Sequence, residues 1–116
     1  MEKIYFEEFG NLKNVYQWKD VFNNLKKIIK YFLHYTEDIL YIMDKDSIKG
    51  IISIGDLIRY CQGIKKSFLN EKFSYLKEFN IEEAKNIFSK IPSIHEIPVI
   101  QENKFIGVVK NGEKEI

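Results

Sequence analysis

Cys61 is the only cysteine in the chain, so no internal disulfide can staple it. Nor is there an excess of charge of either sign. Lys and Arg number 18, Asp and Glu 17, and the formal net charge is +1. That near balance gives no electrostatic basis for binding nucleic acid or an anionic membrane surface. No apolar run reaches the length of a membrane span, and no signal-peptide pattern opens the chain. The two histidines, His34 and His95, have no cysteine or carboxylate set at metal-ligand spacing around them; they read as structural or surface residues. No titratable pair is placed to act as nucleophile and base, so an enzyme is not expected. The lone thiol and the missing span and leader predict a cytoplasmic protein.

What is present is ordinary for a globular domain: 45% hydrophobic and 30% charged residues over 116 positions. That length allows one compact unit, or two small halves sharing a core.

The chain centres on Ile39 to Cys61, ILYIMDKDSIKGIISIGDLIRYC. Apolar Ile39 to Met43 predicts a strand, and Asp44-Lys45-Asp46-Ser47 a turn. The β-branched Ile51, Ile52 and Ile54 suit a second, buried strand. Gly55 ends it, and Asp56 stands where a helix begins. Leu57, Ile58 and Cys61 then share a helical face, on which Cys61 acts as a small hydrophobe, and Gly63 is a C-terminal stop. Ser53 and Asp56 therefore meet at a strand-to-helix corner, where free backbone N–H groups cluster. Two readings stand for them. Ser-x-x-Asp before an apolar run is a plain capping box. It is also a corner where one carboxylate can take both hydroxyls of a vicinal diol while a phosphate lies against the N–H groups. Arg59, Lys65 and Lys66 either reach that phosphate or are solvated helix charges.

Elsewhere the pattern is coarser. Ile4-Tyr5-Phe6 predicts a short strand, Phe9-Gly10-Asn11 a turn, and Val15-Tyr16 a sheet contact. From Gln17 to Leu33, apolar residues recur at steps of three and four, predicting one amphipathic helix; His34 to Asp38 leads from it into the central strand. Lys65 to Lys72 predicts a connecting helix and Phe73 to Phe79 a weak strand. Asn80 with Glu83 predicts a capped helix, closed by Pro92. Ile97 to Ile100 and Phe105 to Val109 predict a last hairpin around Gln101-Glu102-Asn103-Lys104.

Placing Gly50 on Gly107, an offset of 57 residues (107 − 50), matches Ile42 to Val99, Ile48 to Phe105 and Ile51-Ile52 to Val108-Val109. A repeat of that period predicts two copies of one small unit. The copies differ at the corner: Lys110 and Glu113 fall at the places of Ser53 and Asp56. A lysine cannot accept a hydrogen bond from a sugar hydroxyl.

The strand Leu40-Tyr41-Ile42-Met43, Asp44 after it, and the Gly-apolar-apolar-Ser-x-x-Asp run from Gly50 to Asp56 resemble a cystathionine-β-synthase (CBS) domain. Ile97-Pro98-Val99-Ile100 resembles the apolar-Pro-Val strand of the same family, where Tyr41 replaces the proline in the first copy. The resemblance spans about residues 15 to 112, as a tandem pair of the kind called a Bateman module. It implies an α+β fold of two βαββα repeats related by a pseudo-two-fold, with short sheets packed against amphipathic helices. The division expected is residues 1–66 for the first repeat and 67–116 for the second. The resemblance also implies regulatory binding of an AMP-, ADP- or ATP-type ligand, with no cofactor and no chemistry of its own. Asp56 would take the ribose diol and Ser53 would support ribose or phosphate. Backbone of Leu40 to Ile42 would read the adenine edge, with Tyr41, Ile42 and Ile54 around the base. A homodimer is expected, as is a covalently linked effector domain after Ile116. The alternative is a structural or dimerisation module of the same fold that binds nothing.

Overall fold

A computed structural model describes residues 3–34 and 39–112. The lead-in at 35–38 and Glu113 lie outside the described residues. The chain is mixed α+β and divides into two units, one formed by Lys13–Phe73 and the other by Met1–Leu12 together with Ser74–Ile116. This corrects the expected division at residue 66. The N-terminal segment belongs with the C-terminal unit because β1 (Ile4–Glu8) pairs antiparallel with β6 (Lys104–Asn111).

The Lys13–Phe73 unit contains β2 (Val15–Gln17), α1 (Trp18–Val21), α2 (Leu25–His34), β3 (Ile39–Asp44), β4 (Ser47–Ser53) and α3 (Ile54–Cys61). Its sheet runs β2-β3-β4, with β2 parallel and β4 antiparallel to the central β3. Ile28 and Tyr31 of α2 are buried in one core with Leu40 and Ile42, alternate residues of β3, and Ile52 of β4. The resulting core holds Val21, Ile28, Tyr31, Leu40, Ile42, Ile52 and Leu57.

The other unit contains β1, a single 3-10 turn at Phe9–Asn11, α4 (Ile81–Lys90), β5 (Glu96–Gln101) and β6, with sheet order β1-β6-β5. Leu76, Ala84, Phe88, Ile97, Val99 and Val109 form its core.

The 57-residue repeat is written into the hairpin registers. Ile42 pairs with Gly50 and Val99 with Gly107, and both hairpins bulge one residue later, between Ile42 and Met43 and between Val99 and Ile100. The fourth positions also match. In one unit β2 runs parallel beside β3, and Asn70 bridges Ile51 of β4; in the other, Leu76 makes a parallel bridge to Val99, and β1 lies beside β6. Two chemically different segments thus fill each equivalent edge.

Four sequence expectations need correction. The helix expected from Gln17 to Leu33 is two helices. Asn23 takes positive φ (57°), which asparagine tolerates better than most residues. Asn24 Oδ1 then accepts from Lys27 N–H at 3.2 Å to start α2. No helix forms over Lys65 to Lys72, and Phe73 to Phe79 contributes only the Leu76 bridge. Cys61 is exposed, so it is not part of an apolar face.

Candidate functional site

Ser53 is the N-cap of α3, so the helix begins at Ile54, with Gly55 inside its first turn and Asp56 at the third helical position. The capping box is complete. Asp56 N–H donates to Ser53 Oγ at 3.0 Å, and Ser53 N–H donates back to Asp56 Oδ2 at 3.3 Å. Ser53 Oγ–H also donates to Oδ2, at 2.8 Å. The other oxygen serves two cations. Arg59 Nη2 donates to Oδ1 at 3.0 Å and Lys65 Nζ at 2.7 Å.

Local chain geometry explains why Lys65 arrives there. Gly63 takes φ of +77° just past α3. Gly63 N–H bonds Tyr60 O and Ile64 N–H bonds Arg59 O, the paired bonds of a Schellman cap. That turn folds Lys65 back along the helix it has just left.

Asp56 is 3% exposed, whereas the Arg59 and Lys65 side chains are 47% and 36% exposed. The carboxylate is buried; its cations face water. Burial pushes the Asp56 carboxyl up. The hydrogen bonds from Lys65, Ser53 and Arg59 and from the Ser53 N–H outweigh it, and the net shift is below the ordinary 3.8. Asp56 is therefore ionised at neutral pH. A carboxylate offers about four lone-pair sites, and this one accepts four hydrogen bonds from its own chain.

The other expected site residues are placed differently. Tyr41 and Ile42 are wholly buried, and Ile42 belongs to the core. Their strand is the middle of the sheet, paired with β2 and β4 over Tyr41 to Met43. The backbone role expected for Leu40 to Ile42 is thus taken by the sheet itself. Ile54 is 37% exposed, beside the cap. Lys66 is exposed and Lys110, at the Ser53-equivalent position, faces Glu7 at 3.7 Å. Sequence reasoning did not foresee that Arg59 and Lys65 converge on the carboxylate. The i,i+3 spacing of Asp56 and Arg59 was a signal for the first; the second depends on the Gly63 turn.

Among the described residues no group of three or more His, Cys, Asp or Glu is placed to hold a metal ion, and no helix is long and apolar enough to cross a membrane.

No family profile and no curated protein sequence matches the chain. Solved structures do. A CBS domain protein from Streptococcus pneumoniae TIGR4 aligns at TM-score 0.72 and 14% identity, over 91% of this chain and 77% of that one. CBSX2, solved in complex with AMP, aligns at TM-score 0.70 and 15% identity, over 91% and 86%. The CBS domain pair of protein MJ0100, solved with 5′-methylthioadenosine and S-adenosyl-L-methionine, aligns at TM-score 0.59 and 17% identity, over 74% and 76%. The chain therefore has the fold of a CBS domain pair.

Proposed function

We propose that this chain is a regulatory module that binds an adenine nucleotide at the Ser53–Asp56 corner and performs no chemistry of its own. The observation that carries this reading is the ionised, buried Asp56 bracketed by a hydroxyl and two water-facing cations. Support comes from two of the similar structures, which hold AMP in one case and S-adenosyl-L-methionine with 5′-methylthioadenosine in the other.

Binding is an exchange. All four acceptor sites of Asp56 are in use, so a ribose diol enters only by replacing the Lys65 and Arg59 donors at Oδ1. Both side chains are long and half in water, so they can swing away. A ligand phosphate then receives the displaced ammonium and guanidinium as charge-assisted partners. The cap bonds at Oδ2 remain in place. The base edge lies toward β2, which among the described strands pairs only with β3. The module acts on a linked effector domain, and as a homodimer, to the extent that the ligand prefers one packing arrangement over another.

A second reading has its own observation. The Asp56 cluster is complete without a ligand, as a structural or dimerisation module requires. Thermal unfolding with AMP, ADP, ATP, adenosine and S-adenosylmethionine separates the two, because saturating ligand raises the midpoint only if the folded state binds it. Nucleotide binding at the corner predicts a rise with AMP, which carries no diphosphate, and Asp56→Asn abolishes that rise. No rise with any of them leaves the non-binding module.

A further inference from the structure

A second feature of the Lys13–Phe73 unit lies apart from the Ser53–Asp56 cluster. A cavity of about 260 Å³ is lined by Tyr16 of β2 and by Lys27, Lys30, Tyr31 and His34 of α2. The four helical residues fall at i, i+3, i+4 and i+7, so they share one face. The Tyr16 and Tyr31 rings meet edge to face, 5.7 Å apart at 85°. The Lys27 ammonium stands 5.7 Å from the centre of the Tyr16 ring.

Among the described residues the lining holds no carboxylate, and α2 itself contains no acidic residue. Neither Lys27 nor Lys30 enters an ion pair among the described residues. Two ammonium groups one helical turn apart thus share a concave surface. The His34 imidazole in the last turn adds a ring N–H donor. Lysines that only solubilise a helix need no such hollow.

We propose that this cavity binds a diphosphate group, either free pyrophosphate or the tail of a nucleoside diphosphate. Two separated cations suit two linked phosphate units better than a single monoanion. The volume is just under the roughly 300 Å³ at which pockets for drug-sized molecules begin, which suits a small anion or one end of a larger ligand. The Tyr16 ring orients the Lys27 ammonium through the attraction of a cation for its face.

Calorimetric titration of the full chain with pyrophosphate tests this, with sulfate as the control anion and ADP as a second ligand. Wild-type protein should bind pyrophosphate saturably at a single site. The Lys27→Gln/Lys30→Gln variant should bind it roughly a hundredfold more weakly, since it loses two charge-assisted bonds and each is worth about one decade. Asp56→Asn should bind pyrophosphate as wild type does, which separates this site from the nucleotide corner. ADP competing with pyrophosphate in Asp56→Asn protein assigns the site to nucleotide tails; pyrophosphate binding without ADP competition assigns it to the free anion. The proposal is overturned if millimolar pyrophosphate gives no saturable binding, if sulfate matches it, or if the double-Gln variant, folded by circular dichroism, binds like wild type. Loss of binding in Asp56→Asn also overturns it.

Discussion

Lys65 places its ammonium 2.7 Å from Oδ1 of Asp56, a carboxylate with almost no access to water. The two ends of this ion pair carry unequal weight. Removing Lys65 leaves Asp56 with Arg59 and the full capping box. A half-exposed pair contributes about 0.5–1 kcal/mol, so Lys65→Met should cost no more than that. Removing Asp56 also breaks the return bond to the Ser53 N–H, so Asp56→Ala should cost about 2–3 kcal/mol. Urea unfolding of both variants measures the contrast. Equal costs would show that the lysine, not the cap, is what the carboxylate stabilises.

The same cluster sets an acid limit. The folded pKa of Asp56 lies below its ordinary 3.8. A depressed carboxylate contributes stability that is fully present above the unfolded value and is lost as pH falls through the folded one. Wild type should therefore exceed Asp56→Asn in stability at neutral pH. The gap should close progressively once the pH drops below about 4. Urea midpoints of the two proteins from pH 7 to pH 3 test it; a gap that stays constant on acidification would mean that the carboxylate charge plays no part.

Gly50 and Gly107 answer one steric demand in two places. A Cβ at Gly50 would lie 2.7 Å from the Asn70 carbonyl oxygen and 2.9 Å from Leu69 Cδ1. A Cβ at Gly107 would run into the Glu7 carbonyl oxygen and the Phe6 ring. Backbone yields less readily than a side-chain tip, so each Gly→Ala change should cost about 1–3 kcal/mol. Hydrogen exchange locates the damage. Gly50→Ala should speed exchange at Ile51 and Asn70, whose amides bond each other's carbonyls, and Gly107→Ala at the β1–β6 pairs. Unchanged protection would show that the fourth segment adjusts freely.

This pair also shows what the sequence could reveal. Placing Gly50 on Gly107 was enough to recover the repeat, and the apolar runs and turn residues were enough to mark both hairpins, because that pattern is local; the common register of the hairpins came only from the structure. The Ser53–Asp56 corner was legible for the same reason: a capping box lies within four residues. Three things were not legible. The Asn23-Asn24 break interrupts an apolar stripe that continues across it, so periodicity alone could not show it. The membership of residues 1–12 depends on β1 pairing with a strand about a hundred residues later (Ile4 with Asn111). The approach of Lys65 to Asp56 depends on the left-handed turn at Gly63, which the sequence marked only as a stop. Tyr41 and Ile42, expected beside a ligand, lie buried in the central strand of their sheet; a resemblance in sequence does not say which edge of a strand is already paired.

Asn14 offers a last test, of how the β2 edge is held. It is 2% exposed, its Nδ2 donates to the Ile39 carbonyl at 3.0 Å, and its own carbonyl accepts from Tyr41 N–H at 2.9 Å. Asn14→Ala keeps the backbone bond but leaves the Ile39 carbonyl without this donor, which should cost about 1–3 kcal/mol. Asn14→Asp should be worse at neutral pH, because an ionised carboxylate cannot donate and is costly to bury. Only the protonated acid can restore the bond, so burial should raise the pKa of the new carboxyl in the folded state. A raised group contributes stability below its unfolded value that is lost as pH rises through the folded one. Asn14→Asp should therefore recover toward wild type on acidification, opposite in sign to the Asp56 effect. A pH series of urea midpoints on this variant would show it; a deficit that did not shrink at low pH would mean that the bond to Ile39 contributes little to holding β2 against β3.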